Sequence, residues 1–226
     1  MIRRRLVIPV LSAVYDALLE RAVAPSHAAR ARSLREAFFA RTGRFPPDHP
    51  ESGARDAAAW EDALVRGGLA TLLARELDDD AERETASTFR RAQRGAFVFR
   101  RHHGALIAED LWSNAEFLIL PRDDVAREVA LDANASGDRP LCQARLLPGP
   151  DACVVLPGAV FHPADARAAI ERTLAVARER RLSTDAVMDG LLKMEHTWRS
   201  LTRVKIAYAY RPEALPGSGA PPNGAR

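Results

Sequence analysis

Cysteine is scarce. Two in 226 residues cannot build a disulfide framework, which excludes a small cross-linked secreted scaffold. Cys142 and Cys153 flank Pro148-Gly149-Pro150-Asp151. A hairpin centred on that turn sets Cys153 opposite Leu146 and Cys142 opposite Pro157, so the thiols do not meet. The expectation is two buried free thiols in a reducing compartment; a redox pair would need another register. Long apolar runs are also missing. No stretch approaches the ~18 to 20 residues of a membrane span, so no membrane role is expected.

Charge of one sign is not in excess. Thirty-three basic residues face 30 acidic ones, a net charge of +3. Arginine dominates the basic set, which lifts the isoelectric point to 9.2 without creating a global field. A nucleic-acid role would therefore need a local patch. The chain carries no phosphate loop, no dinucleotide glycine fingerprint after a strand, no Gly-x-Ser-x-Gly elbow, no Cys-x-x-Cys and no His-Glu-x-x-His. Those absences lower the prior for an enzyme, and no cofactor is expected.

What is present is ordinary for a globular chain: 47% hydrophobic and 28% charged residues. Arg3-Arg4-Arg5, an apolar run and Ala22-Val23-Ala24 outline a secretory signal. Asp16, Glu20, Arg21 and Pro25 count against it, as does the helical spacing of Val7, Leu11, Val14 and Leu18. The reading is soluble and cytoplasmic, with secretion as the alternative. A second helix is expected from Ser26, as N-cap, to Gly43, with Ala31, Leu34 and Phe38 as its buried stripe. Phe38 and Phe39 cannot both face one core, so either one is half exposed or the helix is sandwiched. After the proline-rich break 44–53, a third helix carries Trp60 and Leu64 and stops at Gly67-Gly68. Leu69–Leu77 follows as a short helix. Asp78, Asp79 and Asp80 open the next segment and Arg90, Arg91 and Arg94 close it, matching a helix dipole.

The period then changes. Phe97 and Phe99 alternate with Val98 and Arg100, Leu106 and Ala108 with Ile107 and Glu109, Phe117 and Ile119 with Leu118 and Leu120. Val129 and Leu131 suggest another short strand, and two more flank the turn at Pro148. Five or six short strands at this spacing predict a small antiparallel barrel or curled sheet over residues 95–163. Pro163 opens a helix, Leu182-Ser183-Thr184 breaks it, and Val187, Leu191, Met194, Trp198 and Leu201 mark another. Val204, Ile206, Tyr208 and Tyr210 alternate, predicting a closing strand. From Pro212 the pattern fades into a disordered tail. The expected organisation is 1–94 helical, 95–163 barrel, 164–211 two helices and a strand, and 212–226 tail.

The residues with functional potential cluster at 90–103. Arg90, Arg91, Arg94, Arg100, Arg101, His102 and His103 interleave with Phe89, Phe97 and Phe99. Such a pattern suits a cationic groove with stacked bases, but clean alternation suits core phenylalanines under a solvated rim better, and that is the expectation. Trp112, at a strand corner, is either a partner anchor or a plug for the barrel bottom. His102 or His103 with His162, and Glu109 or Asp110 as an oxygen ligand, would be a minimal metal set, although no ligand spacing supports it. His196 reads as a solvated or edge residue.

Gly95, Phe97, Phe99, Asp110, Leu111, Ala144, Arg145, Leu146, Leu156 and Gly158 fall in an order that resembles a pattern in uncharacterised bacterial proteins. The resemblance covers about a third of the chain; it implies a small β-barrel and no activity. The fold expected is thus α+β. The function expected is a non-catalytic protein-interaction or scaffold protein, with Arg94, Arg100, Arg101, His102, His103 and Trp112 as contact candidates. A nucleic-acid-binding barrel using 90–103 is the alternative, and a metal-dependent hydrolase the third reading.

Overall fold

A computed structural model of the chain describes residues 8–120, 141–149, 151–201 and 204–216. Five strands form a ring. β1 (Gln93–His102) pairs antiparallel with β2 (Ala105–Asp110), and β2 with β3 (Glu116–Ile119). β3 meets β5 (Cys153–Val155) in parallel through Ile119 and Cys153. β5 is antiparallel to β4 (Leu141–Pro148), and β4 pairs back onto β1. A short β6 (Val160–Phe161) lies beside Cys142 and Gln143 on β4. The fold is α+β, a small closed mixed barrel flanked by helices.

Strand alternation sorts the side chains. Phe97, Phe99, Leu106, Ala108, Ile119, Cys142, Ala144, Leu146 and Val155 fill the interior. The opposite faces of β1, β4 and β5 meet helices. Among the described residues five α-helices precede the barrel: α1 (Ile8–Val23), α2 (Pro25–Thr42), α3 (Ser52–Val65), α4 (Leu69–Leu73) and α5 (Asp80–Thr88). Three follow it: α6 (Arg167–Glu179), α7 (Thr184–Ser200) and α8 (Ile206–Ala209). Leu147, Val154 and Leu156 pack with Leu11, Val14, Leu18 and Leu73 of the first group. Ala96, Val98 and Leu141 pack under Ile170, Leu174, Val187 and Leu191 of the second. Among the described residues no helix is long and apolar enough to cross a membrane.

Local chemistry sets the helix ends. The Asp79 carboxylate accepts from the Ala81 and Glu82 amides at 2.6 and 3.0 Å, opening α5. Ser183 Oγ accepts from Ala186 N–H at 3.3 Å, opening α7. α2 starts one residue before the expected Ser26 cap, because Pro25 suits a first helical turn, where its missing N–H costs nothing. Both Phe38 and Phe39 are buried, since α2 is sandwiched between neighbours.

Four expectations are corrected. The closing strand at Val204–Tyr210 is absent. α8 occupies it, with Tyr210 N–H bonded to Ile206 C=O at 2.8 Å, Tyr208 60% exposed, and Ala209 and Tyr210 buried. The ring already pairs β1 and β4 on both sides, so they leave no edge for another strand. The tail is not structureless from Pro212: Pro212–Ala214 forms a 3-10 turn and Leu215 is buried against Gly190. The hairpin register differs by two, setting Cys153 opposite Pro148 and Val155 opposite Leu146. Arg94 lies in β1 rather than closing a helix. Cys142 is buried and Cys153 half-buried. The strand expected at Val129–Leu131, and Val7, lie outside the described residues.

The barrel–helix contact is tight at Gly158. A Cβ there would stand 2.6 Å from the Ala58 backbone on α3. Backbone cannot yield as a side chain does, so Gly158→Ala should cost about 1–3 kcal/mol. At this chain length that lowers the melting temperature by roughly 5 °C. Gly53→Ala, on the same helix with nothing within 4 Å of the new methyl, should leave it unchanged or raise it slightly. Equal melting temperatures for the two variants would contradict this packing.

Candidate functional site

The ladder between β1 and β4 places Arg94 opposite Arg145, both on the outer face. Like charges directly opposed on a sheet destabilise it unless counter-charge arrives. It arrives from two helices. Asp62 of α3 accepts from Arg145 at 2.6 Å, and Asp189 of α7 accepts from Arg94 at 2.6 Å. Arg41 of α2 bridges both aspartates at 2.7 Å, and Arg66 reaches Asp189 at 2.9 Å. Asp185 stands 3.6 Å from Arg66 and 3.7 Å from Arg94. Arg94, Arg145, Asp62 and Asp189 have side chains only 4–8% exposed. Burial holds the Arg94 guanidinium below its ordinary value, with Arg145 adding to the effect. Burial alone would raise the Asp189 carboxyl, but Arg94 and Arg41 outweigh that and hold it below the usual range.

Outside this network lies a cleft of about 480 Å³, lined by Arg66, Arg90, Arg94, Arg145, Thr184 and Asp185. Arg90 is exposed at its rim, in the 3-10 turn Phe89–Arg91.

The basic stretch 90–103 is therefore not one surface. Arg90 and Arg91 are exposed near the cleft, and Arg94 is in the buried network. Arg100 pairs with Glu116 at 2.7 Å. Arg101, His102 and His103 are exposed at the β1–β2 tip, 4.2 Å separating the two imidazole rings. His103 and Gly104 have φ of 48° and 80°, as a two-residue hairpin of the primed type requires. Phe97 and Phe99 are 1% and 0% exposed, core rather than platform. Trp112 is neither a free anchor nor a barrel plug. It is half-buried with the α6–α7 cluster, donates Nε1–H to Thr184 Oγ1 at 3.0 Å and lies 5.4 Å from the Arg178 guanidinium.

The outer row of β2 and β3 is different. Register aligns Arg100, Ile107 and Leu118 across three strands, beside Glu109 opposite Glu116. Ile107 and Leu118 belong to none of the hydrophobic clusters, and Leu118 is 48% exposed. β3 pairs with β5 only at Ile119, so Glu116–Leu118 has no second ladder partner among the described residues.

The histidines do not converge. His162 follows β6 and bonds to Leu141, which faces Val98; His102 lies four residues further along β1, about 13 Å. Among the described residues no group of three or more His, Cys, Asp or Glu could hold a metal. His162 is 4% exposed and its Nδ1 lies 3.0 Å from the Tyr210 hydroxyl. His196 is half-buried and bonds to Arg44 C=O at 3.0 Å.

Sequence reading missed Arg41, Asp62, Arg66, Arg145 as a charge partner, and Asp189. One signal was there, Arg145 interrupting an apolar strand; Asp189 gave none, because helical spacing sets it about 200° round α7 from the Val187–Leu191–Met194 stripe. Comparisons with family models, with curated proteins and with solved structures find no significant match.

Burial, then Arg55 and Arg199, push the His162 imidazole down to about 3. It stays neutral in the folded chain below pH 6.5, where the unfolded chain takes up the proton. Stability is therefore lost as pH falls from about 6.5 towards 3, by on the order of 1 kcal/mol per pH unit. Thermal melts of wild type and His162→Gln between pH 7.5 and 5 should converge as pH falls. Parallel curves would contradict the buried neutral histidine.

Proposed function

We propose that this chain is a non-catalytic protein-interaction or scaffold protein of the bacterial cytoplasm. Its partner takes the outer row of β2 and β3. The observation that carries this reading is the exposed Leu118 beside the half-buried Ile107, both outside the hydrophobic clusters of the described residues, on a barrel whose β1, β4 and β5 faces are packed under helices. Single exposed leucines are common on surfaces and decide nothing. Here the leucine adjoins an isoleucine across the ladder, and among the described residues the β3 edge beside it has no second ladder partner at Glu116–Leu118. An open edge takes an extended segment as an added strand. Charge complementarity specifies that segment: an apolar residue opposite Leu118, and a basic one facing Glu109 and Glu116.

The nucleic-acid alternative is weaker on this wall. Five-stranded barrels bind oligonucleotides on the face of strands two and three. Here that face carries Glu109 and Glu116 where phosphates would lie, and the phenylalanines that would stack on bases are inside.

A photo-crosslinking residue at position 118 tests the reading, with position 172 on α6 as the exposed control. The captured protein, re-expressed and purified, should bind wild type roughly tenfold more tightly than it binds Leu118→Asp. Melting temperatures of the two should match. Crosslinking at 118 no greater than at 172, or equal affinity for Leu118→Asp, would overturn the proposal.

A further inference from the structure

The arginine-lined cleft is separate from the β2–β3 wall, and its charge is not balanced. Among the described residues Arg41, Arg66, Arg94 and Arg145 pair with Asp62, Asp185 and Asp189, and Arg90 pairs with none of them. Glu61 accepts from the Gly158 amide and lines a small cavity with Arg94 and Arg145, so five guanidinium groups face four carboxylates, an excess of one. Arg94 has a side chain 6% exposed and lines both this cleft and the small cavity beside Glu61; its Nη2, closed off from solvent, has no hydrogen-bond partner among the described residues. Arg90 makes no hydrogen bond or ion pair among the described residues and stands exposed at the rim.

The N-terminus of α7 opens onto the same cleft through Ser183, Thr184 and Asp185. Ser183 satisfies the Ala186 and Val187 amides through Oγ and C=O. The Thr184 and Asp185 amides have no partner among the described residues, and a 17-residue helix carries a positive dipole end there. A forked guanidinium matches the oxygens of a tetrahedral anion, as do free helix amides. Asp185 is the one opposing charge on the lining, and Arg66 and Arg94 flank it.

We propose that this cleft binds a phosphate group, as free phosphate or as a small phosphate monoester, with Arg94 and Arg66 at its base and Arg90 closing over it. The volume of about 480 Å³ exceeds what one phosphate fills and leaves room for an ester substituent.

Isothermal titration of the full chain with inorganic phosphate, and separately with glycerol 2-phosphate, tests this in chloride of matched ionic strength. One site per chain is expected. Tighter binding of the ester assigns the rest of the cleft to its substituent, and equal binding assigns the site to the free ion; both support the anion site. Arg90→Ala should weaken binding about fivefold and Arg90→Glu should abolish it, at unchanged melting temperature because Arg90 holds nothing in place. Arg66→Ala should weaken it as well. Heats no larger than those of chloride, or undiminished binding by Arg90→Glu, would overturn the proposal. Neither outcome bears on crosslinking at position 118.

Discussion

Two guanidinium groups held side by side on neighbouring strands set the terms for the rest of this fold. Arg94 and Arg145 face each other on the β1–β4 ladder, nearly out of solvent, and neither can be left unpaired there. Asp62 must come from α3 and Asp189 from α7, and Arg41 from α2 joins the two aspartates. Helices on both sides of the barrel in sequence are thereby fixed to the same patch of its wall. Buried ion pairs add little net stability over apolar packing of the same volume, whereas losing one partner costs about 3–5 kcal/mol. The network's effect is on position: a helix that shifts strands a charge.

A second buried pair repeats the device two turns earlier on α3. Arg55 and Glu195 are 1% and 0% exposed at the side chain and bond directly, and Arg55 Nη1 also donates to Thr42 C=O at 2.9 Å. Arg199 bonds the other Glu195 oxygen and reaches Glu51 at 2.8 Å. α3 and α7 are thus locked at two places along their length. Arg90, outside the first network, stands at the cleft rim, while the wall of β2 and β3 stays outside both networks.

Much of the architecture was legible because period and burial agree. Phe97–Phe99, Leu106–Ala108 and Phe117–Ile119 alternate and do line one interior. Val187, Leu191 and Met194 repeat at helical spacing and are buried. Misreadings arose where the pattern was short or the partner was remote. Val204–Tyr210 alternates over only four apolar positions, and a helical turn plus the Tyr210–His162 bond uses the same residues otherwise. The hairpin register slipped by two because Pro148 is itself paired with Cys153, which moves the turn one residue along the chain. Leu215 looked unpatterned because one buried side chain filling the space beside Gly190 leaves no period to find. The charge network was hidden for another reason. Arg94 reads as a helix-ending cation in sequence, and its aspartate lies 95 residues away.

The most direct measurement is a double-mutant cycle on Arg94 and Asp189, read by denaturant unfolding of wild type, Arg94→Leu, Asp189→Leu and the double variant. If the opposed arginines dictate the placement of α7, Asp189→Leu strands the buried Arg94 and costs several kcal/mol, Arg94→Leu costs less because Arg41 and Arg66 still meet Asp189, and the double change recovers much of the Asp189→Leu loss, a coupling of about 2 kcal/mol or more. Two costs that simply add would contradict the account, because α7 would then be held by packing alone.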